Sequence, residues 1–158
     1  MPPKLIVDPR EIDVSNVIFG SDEIRKWNPH RFELELLHGV LHFDPEAKII
    51  IGIHHTTKDD FWVRGHIPGR PLMPGVLMVE FAAQLCSFYF AKIHPDVERF
   101  FGFGGVDLTR FRGTVAPGES AVAVAKCISM RRRRGIFDCQ GFVGDRMVFE
   151  TRVTGILV

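Results

Sequence analysis

Hydrophobic and polar positions along the first third of the chain predict two strands that pair with each other. Residues 32–43 begin with apolar and polar side chains in alternation, which is typical of a strand with one buried face. Residues 49–57 are rich in β-branched side chains, which favour strands. Asp44 and Pro45 stand between the two segments and favour a turn. The spacing therefore predicts an antiparallel hairpin.

Residues 76–93, with the sequence VLMVEFAAQLCSFYFAKI, are apolar on every side of a helical wheel. Pro74 stands where the first turn of a helix accepts proline, and a helix without a polar face is predicted to be buried. A membrane span is the alternative interpretation. Glu80 and Gln84 argue against a span, because hydrocarbon disfavours polar side chains in the middle of a segment. We therefore expect a core helix and no membrane partner.

Beyond Pro95 the pattern changes to apolar segments separated by turn residues. Turn signals stand at Pro117-Gly118, at Gly135 and at Gly144-Asp145, so about four more strands are expected. Strands before and after a single buried helix predict an α+β fold. In this fold one antiparallel sheet of about six strands wraps around one long buried helix.

The length of 158 residues predicts one domain. Residues 1–20 contain three prolines and are interpreted as an N-terminal arm, and residues 21–158 as the domain. Ser21, followed by two acidic residues, is the expected start of a short helix. Pro29 limits that helix at its other end, because proline disfavours helix at the residue before it.

Composition narrows the classes of function. The formal net charge of +1 gives no reason to expect nucleic acid or a membrane surface as the main partner. Three widely spaced cysteines are too few for a zinc site or a disulfide framework and suit a reducing compartment. Residues 1–30 contain no apolar run of the kind found in a signal peptide, so we expect a cytoplasmic protein. The 14 phenylalanines supply volume for a dense core or for an apolar tunnel.

The small net charge conceals an uneven distribution. Residues 99–134 hold eight basic and two acidic side chains, a balance of +6, and the rest of the chain carries −5. An acidic partner would be steered toward the basic segment. The alternative is a solvated patch beside a turn, which is the usual role of a run such as RRRR.

The polar residues of the predicted core helix are the first candidates for chemistry. Glu80, Gln84 and Ser87 are spaced by four and three positions, which places them on one stripe of the helix. Burial favours the protonated form of a carboxyl, and a neutral buried carboxyl can donate a proton. The alternative is a glutamate that faces solvent or caps a neighbour.

Two further candidates stand in the loop GHIPGRPLMPG, residues 65–75, which proline and glycine make irregular and rigid. His66 is a candidate general base, since histidine usually fills that role near neutral pH. The alternative is a structural histidine bound to a backbone carbonyl. Gly75 begins the helix, where a free N–H and the helix dipole can polarise a carbonyl. It can equally be a tight-turn residue.

The run GHIPGRPLMPGVLMVEFAAQ, residues 65–84, closely resembles the motif of the β-hydroxyacyl-acyl carrier protein dehydratases of type II fatty acid synthesis, which have the hotdog fold. The 14-residue spacing from His66 to Glu80 matches that family. The resemblance continues in PHRF (29–32), FGGVDLTRFR (103–112), PGE (117–119) and RRRRG (131–135), and it covers roughly residues 22–157. An aliphatic Val76 and a glutamate at position 80 resemble the branch that dehydrates without isomerising.

The resemblance implies an activity and roles for the site residues. A (3R)-hydroxyacyl thioester on acyl carrier protein is dehydrated to the trans-2-enoyl thioester. His66 removes the α-proton, Glu80 protonates the departing hydroxyl, and the N–H of Gly75 polarises the thioester carbonyl. Val76 and Gln84 are expected to contact substrate. No metal or organic cofactor is needed, because the thioester already acidifies the α-carbon.

The resemblance also implies partners. The family pattern predicts a homodimer, or a trimer of such dimers, with His66 from one subunit and Glu80 from the other in each site. Docking of the acidic carrier protein is expected on Arg110, Arg112, Arg132 and Arg134. The alternatives are an (R)-specific enoyl-CoA hydratase that runs the reaction in reverse, another hotdog acyl-thioester enzyme such as a thioesterase, and a non-catalytic acyl-binding subunit.

Overall fold

The computed structural model describes residues 2–158, and its helices and strands largely match the segments that the sequence pattern predicts. The elements, in chain order, are α1 (Ser21–Trp27), β1 (Gly39–Asp44), β2 (Ile49–His55), α2 (Gly75–Ile93), β3 (Phe101–Phe111), β4 (Ser120–Arg131), β5 (Arg134–Val143) and β6 (Arg146–Leu157). Short 3-10 turns cover Pro9–Glu11 and Phe32–Leu34. The strands form one sheet in the order β1-β2-β4-β5-β6-β3, with every neighbouring pair antiparallel. The predicted α+β hotdog fold is confirmed.

Helix α2 lies in the concave face of the sheet and is buried along most of its length. Phe81, Leu85 and Phe88 have no exposed surface, and all three belong to the main core cluster together with residues of the strands. Seven of the 14 phenylalanines are buried, at positions 81, 88, 90, 101, 137, 142 and 149. Half of the phenylalanines therefore fill the core. Truncating one such ring to alanine costs about 3–5 kcal/mol.

By length and composition alone α2 qualifies as a membrane span, with a mean hydropathy of 1.4 over an 18-residue window. The sheet buries 61% of that window inside the protein. The protein's own core thus covers most of this helix, which a membrane span would leave to lipid. The apolar character of α2 thus belongs to a core helix, as the sequence predicts.

Two local predictions are wrong. The first strand begins at Gly39 and not at residue 32, because the side chain of Gln84 on α2 binds the backbone at Leu36 and Leu37 and takes these N–H groups from any sheet. The turn in the arginine run lies at residues 132–133 and not at Gly135. Gly135 is inside β5, where a side chain would press on the buried ring of Phe101, at 3.1 Å from an ideal Cβ.

The short helix α1 ends at Trp27, before Pro29, as the proline predicts. It begins at Ser21 with Gly20 as its N-cap, so Ser21 is the first helical residue and its side chain does not cap the helix. The predicted turns at Pro117-Gly118 and Gly144-Asp145 and the β1–β2 hairpin are confirmed.

The arm, residues 2–20, lies against the outer face of the sheet. That face carries a second apolar cluster, which Ile6 and Ile12 of the arm help to cover. Gln140 on β5 anchors the arm, because its side chain accepts from the N–H of Ile6 and donates to the carbonyl of Lys4. The boundary at residue 20 stays a prediction.

The end of the arm also meets one edge of the sheet. The N–H groups of Ile18 and Phe19 donate to the carbonyl of Val40 on β1, and the N–H of Val40 donates back to Phe19. At the other edge, β3 pairs only with β6. The two edges of the sheet therefore differ, one being met by the arm and the other open.

Candidate active site

The loop before α2 holds the ring of His66 in a defined orientation. Nδ1 lies 2.7 Å from the carbonyl oxygen of Leu72, and a carbonyl can only accept, so Nδ1 carries the proton. The backbone on both sides is tied down: the N–H of His66 donates to Trp62, and the N–H of Leu72 donates to the carbonyl of His66. The second ring nitrogen, Nε2, therefore presents a lone pair from an exposed ring, as a general base requires.

The N-terminus of α2 presents backbone donors beside this loop. The first bonds of the helix run from Leu77 and Met78 to the carbonyl of Pro74, so the N–H groups of Gly75 and Val76 precede the helical ladder. The side chain of Val76 is 72% exposed. Free N–H groups and the helix dipole together favour an oxygen with developing negative charge at this point.

Gly75 is also a place of close packing. An ideal Cβ there would lie 2.7 Å from Cε1 of the Phe111 ring, which comes from the end of β3. Any side chain would displace that ring or the helix start. The absence of a side chain thus lets β3 approach the backbone donors of α2.

Glu80 lies one and a half turns into α2 and is only partly exposed, with 25% of its side chain accessible. Its Oε1 accepts from Nε2 of Gln84 at 3.0 Å. Gln84 itself is 2% exposed, and both ends of its amide are hydrogen-bonded. Its Oε1 accepts from the N–H groups of Leu36 and Leu37, and its Nε2 also donates to the carbonyl of Leu34. The predicted stripe is real, and Gln84 connects the carboxyl to the segment before β1. A direct contact of Gln84 with substrate stays a prediction.

The sequence analysis missed a fourth polar group at this point. His30 places Nε2 3.4 Å from Oε1 of Glu80, with only 16% of its side chain exposed. Burial lowers the pKa of His30, and the nearby Glu80 only partly opposes that effect. A lone histidine in a loop gives no periodic signal. The one available signal was its place in the PHRF run.

Glu80 and His30 line a small cavity of about 30 Å³ between α2 and the start of β3. Its other walls include Gln84 and Ser87 of the polar stripe, Phe100 just before β3, and residues of β3 and β6, among them Phe101, Phe103, Val153 and Gly155. Gly155 leaves room for the ring of Phe101, since a side chain there would collide with it. The cavity therefore has a polar end, formed by Glu80 and His30, and its other walls are largely phenylalanine rings.

The structure gives the predicted base and acid different places. His66 is exposed on its loop, and the cavity lined by Glu80 does not include it. Exposed apolar side chains lie on β3 itself, in the loop next to His66 and at the start of α2. These are Ile67, Val76, Phe103, Val106, Leu108 and Phe111, which are 43–72% exposed.

The four arginines predicted to dock a carrier fall into two groups. Arg110 lies opposite Glu150 on β6, whereas Arg134 lies opposite Ile156, six residues further along the same strand. At about 3.4 Å per residue the two groups are roughly 20 Å apart. Arg112 is paired with Glu150 at 3.0 Å. The basic segment thus forms two separate patches.

The second patch lies at the turn between β4 and β5. Arg132 is 76% exposed and lies 3.3 Å from Asp96, itself 65% exposed, and an exposed pair of this kind is weak. Arg134 is exposed at the start of β5. These guanidinium groups remain accessible to a partner.

Within residues 2–158, no three histidine, cysteine or acidic side chains are placed to hold a metal ion. Cys86, Cys127 and Cys139 are free and buried in the core. Burial raises the pKa of the Cys86 thiol well above its usual value, so it behaves as an apolar core residue.

Solved structures similar to this chain share its fold at low sequence identity. The dehydratase heterocomplex ApeI:P of Xenorhabdus doucetiae matches with a TM-score of 0.73 at 12% identity, over 85% of this chain and 90% of that chain. A mutant thioesterase of Pseudomonas aeruginosa matches with a TM-score of 0.62 at 16% identity, over 87% of this chain and 92% of that chain. Since one fold serves both reactions, the structural likeness supports the architecture and leaves the reaction to the site.

Sequence comparison is more specific. Over 150 residues the chain is 31% identical to the 3-hydroxyacyl-[acyl-carrier-protein] dehydratase FabZ of Desulfotalea psychrophila, covering 94% of this chain and 95% of that protein. Residues 28–152, which include the whole region from His30 to Glu80, match the FabA-like domain. The chain therefore belongs to the FabA-like dehydratase family.

Proposed function

We infer that this protein is a 3-hydroxyacyl-[acyl-carrier-protein] dehydratase of fatty acid synthesis. The observation that carries the inference is that a chain of this family holds both an oriented histidine on its loop and a part-buried glutamate on α2. The substrate is a (3R)-hydroxyacyl thioester on acyl carrier protein, and the products are the trans-2-enoyl thioester and water.

The chemistry follows from the atoms at the site. The lone pair on Nε2 of His66 takes the α-proton, and the electrons of that C–H bond form the new C=C bond. The C–O bond at the β-carbon breaks, and Glu80 gives its proton to the departing hydroxyl, which leaves as water. His66 then holds one extra proton and Glu80 lacks one, so exchange with solvent restores the site.

The transient negative charge is stabilised at the start of α2. As the α-proton leaves, charge moves onto the thioester oxygen, and the N–H groups of Gly75 and Val76 are free to donate to it. The positive end of the helix dipole acts in the same direction. The exposed Val76 side chain then contacts the acyl or pantetheine part of the substrate.

A homodimer through the β3 edge would complete the site. The open edge of β3 is 11 residues long and is surrounded by exposed apolar side chains, a combination that favours pairing with another strand. Two-fold pairing there brings the loop of one copy toward the cavity of the other. In this arrangement His66 of one subunit faces Glu80 of its partner.

The carrier protein docks on the arginines at the β4–β5 turn, and the enzyme works in the cytoplasm. Arg132 and Arg134 are exposed, and charges at the rim of an interface mainly speed encounter with an acidic partner. Three free, buried cysteines are compatible with a reducing compartment.

The proposed function is tested with purified protein and 3-hydroxyacyl thioesters on carrier protein and on CoA, by following the absorbance of the enoyl product. Faster turnover on the carrier is expected. His66→Ala and Glu80→Gln should each lower kcat by about 100-fold or more, the scale of a general acid or base. The circular dichroism spectrum of each variant should match that of the wild type. A folded variant with near-normal turnover would refute the role assigned to that residue.

A further inference from the structure

His30 is placed at the acid of the site and has no role in the reaction described above. Its Nε2 lies 3.4 Å from Oε1 of Glu80, and its ring packs edge-on against Phe100, with the ring centres 5.6 Å apart. It also lines the same cavity as Glu80. The second ring nitrogen, Nδ1, is buried without a hydrogen-bond partner among the described residues.

The backbone around His30 is held from both sides. The guanidinium of Arg31 donates to the carbonyls of Arg25, Asn28 and His30 itself, at 2.7–3.0 Å. The side chain of Asn28 donates to the carbonyl of Gln84 on α2 at 2.9 Å. This segment is therefore fixed to the same helix turn that carries Glu80, as a group that positions another must be.

The proton of the His30 ring belongs on Nε2. Burial lowers the pKa of this imidazole, so it is neutral and carries one N–H. The charged groups that face it are Glu80 and Arg31. A proton on Nδ1 would be a buried donor without an acceptor, whereas a proton on Nε2 has a carboxyl oxygen within 3.4 Å.

Two donors then converge on one oxygen of Glu80. Gln84 donates to Oε1 at 3.0 Å, and Nε2–H of His30 approaches the same atom. An oxygen that faces two donors is a poor place for a proton, so the acidic proton resides on Oε2. We propose that His30 is a positioning residue which, together with Gln84, occupies Oε1 of Glu80 and leaves Oε2 to deliver the proton.

This role rests on the proposed function and concerns the step in which Glu80 loses its proton. At 3.4 Å the contact is loose in this structure. It strengthens as the carboxyl becomes a carboxylate, because donors bind an anionic oxygen more tightly. An interaction that grows toward the transition state raises kcat and leaves KM nearly unchanged.

The test compares three variants of His30 in the enoyl absorbance assay. His30→Phe keeps the ring that packs on Phe100 and removes the donor, and should lower kcat by about 10- to 50-fold with little change in KM. His30→Gln places an amide nitrogen near the position of Nε2 and should remain within about threefold of the wild type. His30→Asn has a shorter side chain and should resemble His30→Phe.

His94 supplies the matched control. It is also a histidine with a buried, unpartnered ring nitrogen, and it packs on Phe90 at the other end of α2. His94→Phe should leave kcat unchanged.

The split between kcat and KM, together with the rescue by glutamine, separates positioning from a purely structural effect. Loss of the donor removes an interaction that grows toward the transition state, so kcat of His30→Phe should fall while its KM stays nearly unchanged. Equal kcat for His30→Phe and wild type would overturn the proposal. So would equal losses of kcat in His30→Phe and His30→Gln. Full turnover in Glu80→Gln, measured alongside, would instead refute the proposed role of Glu80.

Discussion

Replacing Gln84 by leucine should destabilise the protein far more than the loss of one polar side chain suggests. The two side chains are similar in size, so the variant leaves little cavity. It does remove every partner that the amide supplies: the acceptor for the N–H groups of Leu36 and Leu37, and the donor to Leu34 and Glu80. The change therefore isolates hydrogen bonding from packing.

The magnitude follows from burial. Leu36 and Leu37 are each 3% exposed, and a buried donor left without a partner costs about 1–3 kcal/mol. Leu34 is 44% exposed, so water can replace the lost donor at its carbonyl. Two stranded donors, offset in part by the more apolar leucine, give a loss of about 3 kcal/mol. For a domain of this size that corresponds to a fall in Tm of roughly 10 °C.

The measurement is urea and thermal unfolding at one protomer concentration, since association affects apparent stability. Gln140→Leu is the control, because Gln140 is also buried but binds only the arm, at Lys4 and Ile6. It should cost about 1 kcal/mol. A loss below about 1 kcal/mol for Gln84→Leu, or equal losses in the two variants, would show that Gln84 does not hold the segment before β1.

Three further predictions concern assembly, docking and acid stability. Mixing His66→Ala subunits, which lack the base, with Glu80→Gln subunits, which lack the acid, should restore one working site in each mixed dimer. Mixed dimers that form and stay inactive would disprove the shared site. Replacing Arg132 and Arg134 by glutamate should raise KM several-fold for the carrier-bound substrate at low salt and leave a pantetheine thioester unaffected; equal losses on both would assign these arginines to the fold. Burial lowers the pKa of His54 from 6.5 to about 4. As the pH falls from 6.5, the imidazole is therefore protonated in the unfolded chain before it is protonated in the folded protein. The free energy of unfolding should drop by about 3 kcal/mol between pH 6.5 and pH 4. His54→Asn, which keeps a donor for Leu36, should flatten that dependence in urea unfolding, and an unchanged slope would contradict it.

Local patterns predicted most of the elements because each of them depends on nearby residues. The apolar segment that forms α2, the β1–β2 hairpin and the turn at Gly144-Asp145 needed no knowledge of the rest of the chain. Residues 32–38 were mispredicted because their conformation is decided by Gln84, about 47 positions away, whose side chain takes their backbone donors. Tertiary hydrogen bonds of this kind leave no trace in periodicity.

At the candidate site, too, local patterns were predictable from the sequence and tertiary contacts were not. His66 and Glu80 stood out because a rigid loop and an apolar helix make a polar side chain conspicuous. His30 did not, since its place beside Glu80 comes from the packing of its loop onto α2. The basic segment looked like one surface in sequence, but the pairing of β3 with β6 places Arg110 far from Arg134. Strand order is a nonlocal property that charge counting does not reveal.

The unequal edges of the sheet limit how far chains can assemble through it. β1 is only six residues long, has a register shift after Val40 and is met there by the arm, features that discourage edge-to-edge growth. A sheet with two open edges could recruit copies without limit and grow into a fibre. In the proposed homodimer the β3 edges of the two copies would pair with each other, and neither of these long edges would remain free for another strand. By bonding to Val40 of β1, residues 18–19 of the arm would hinder the addition of further copies at the opposite edge.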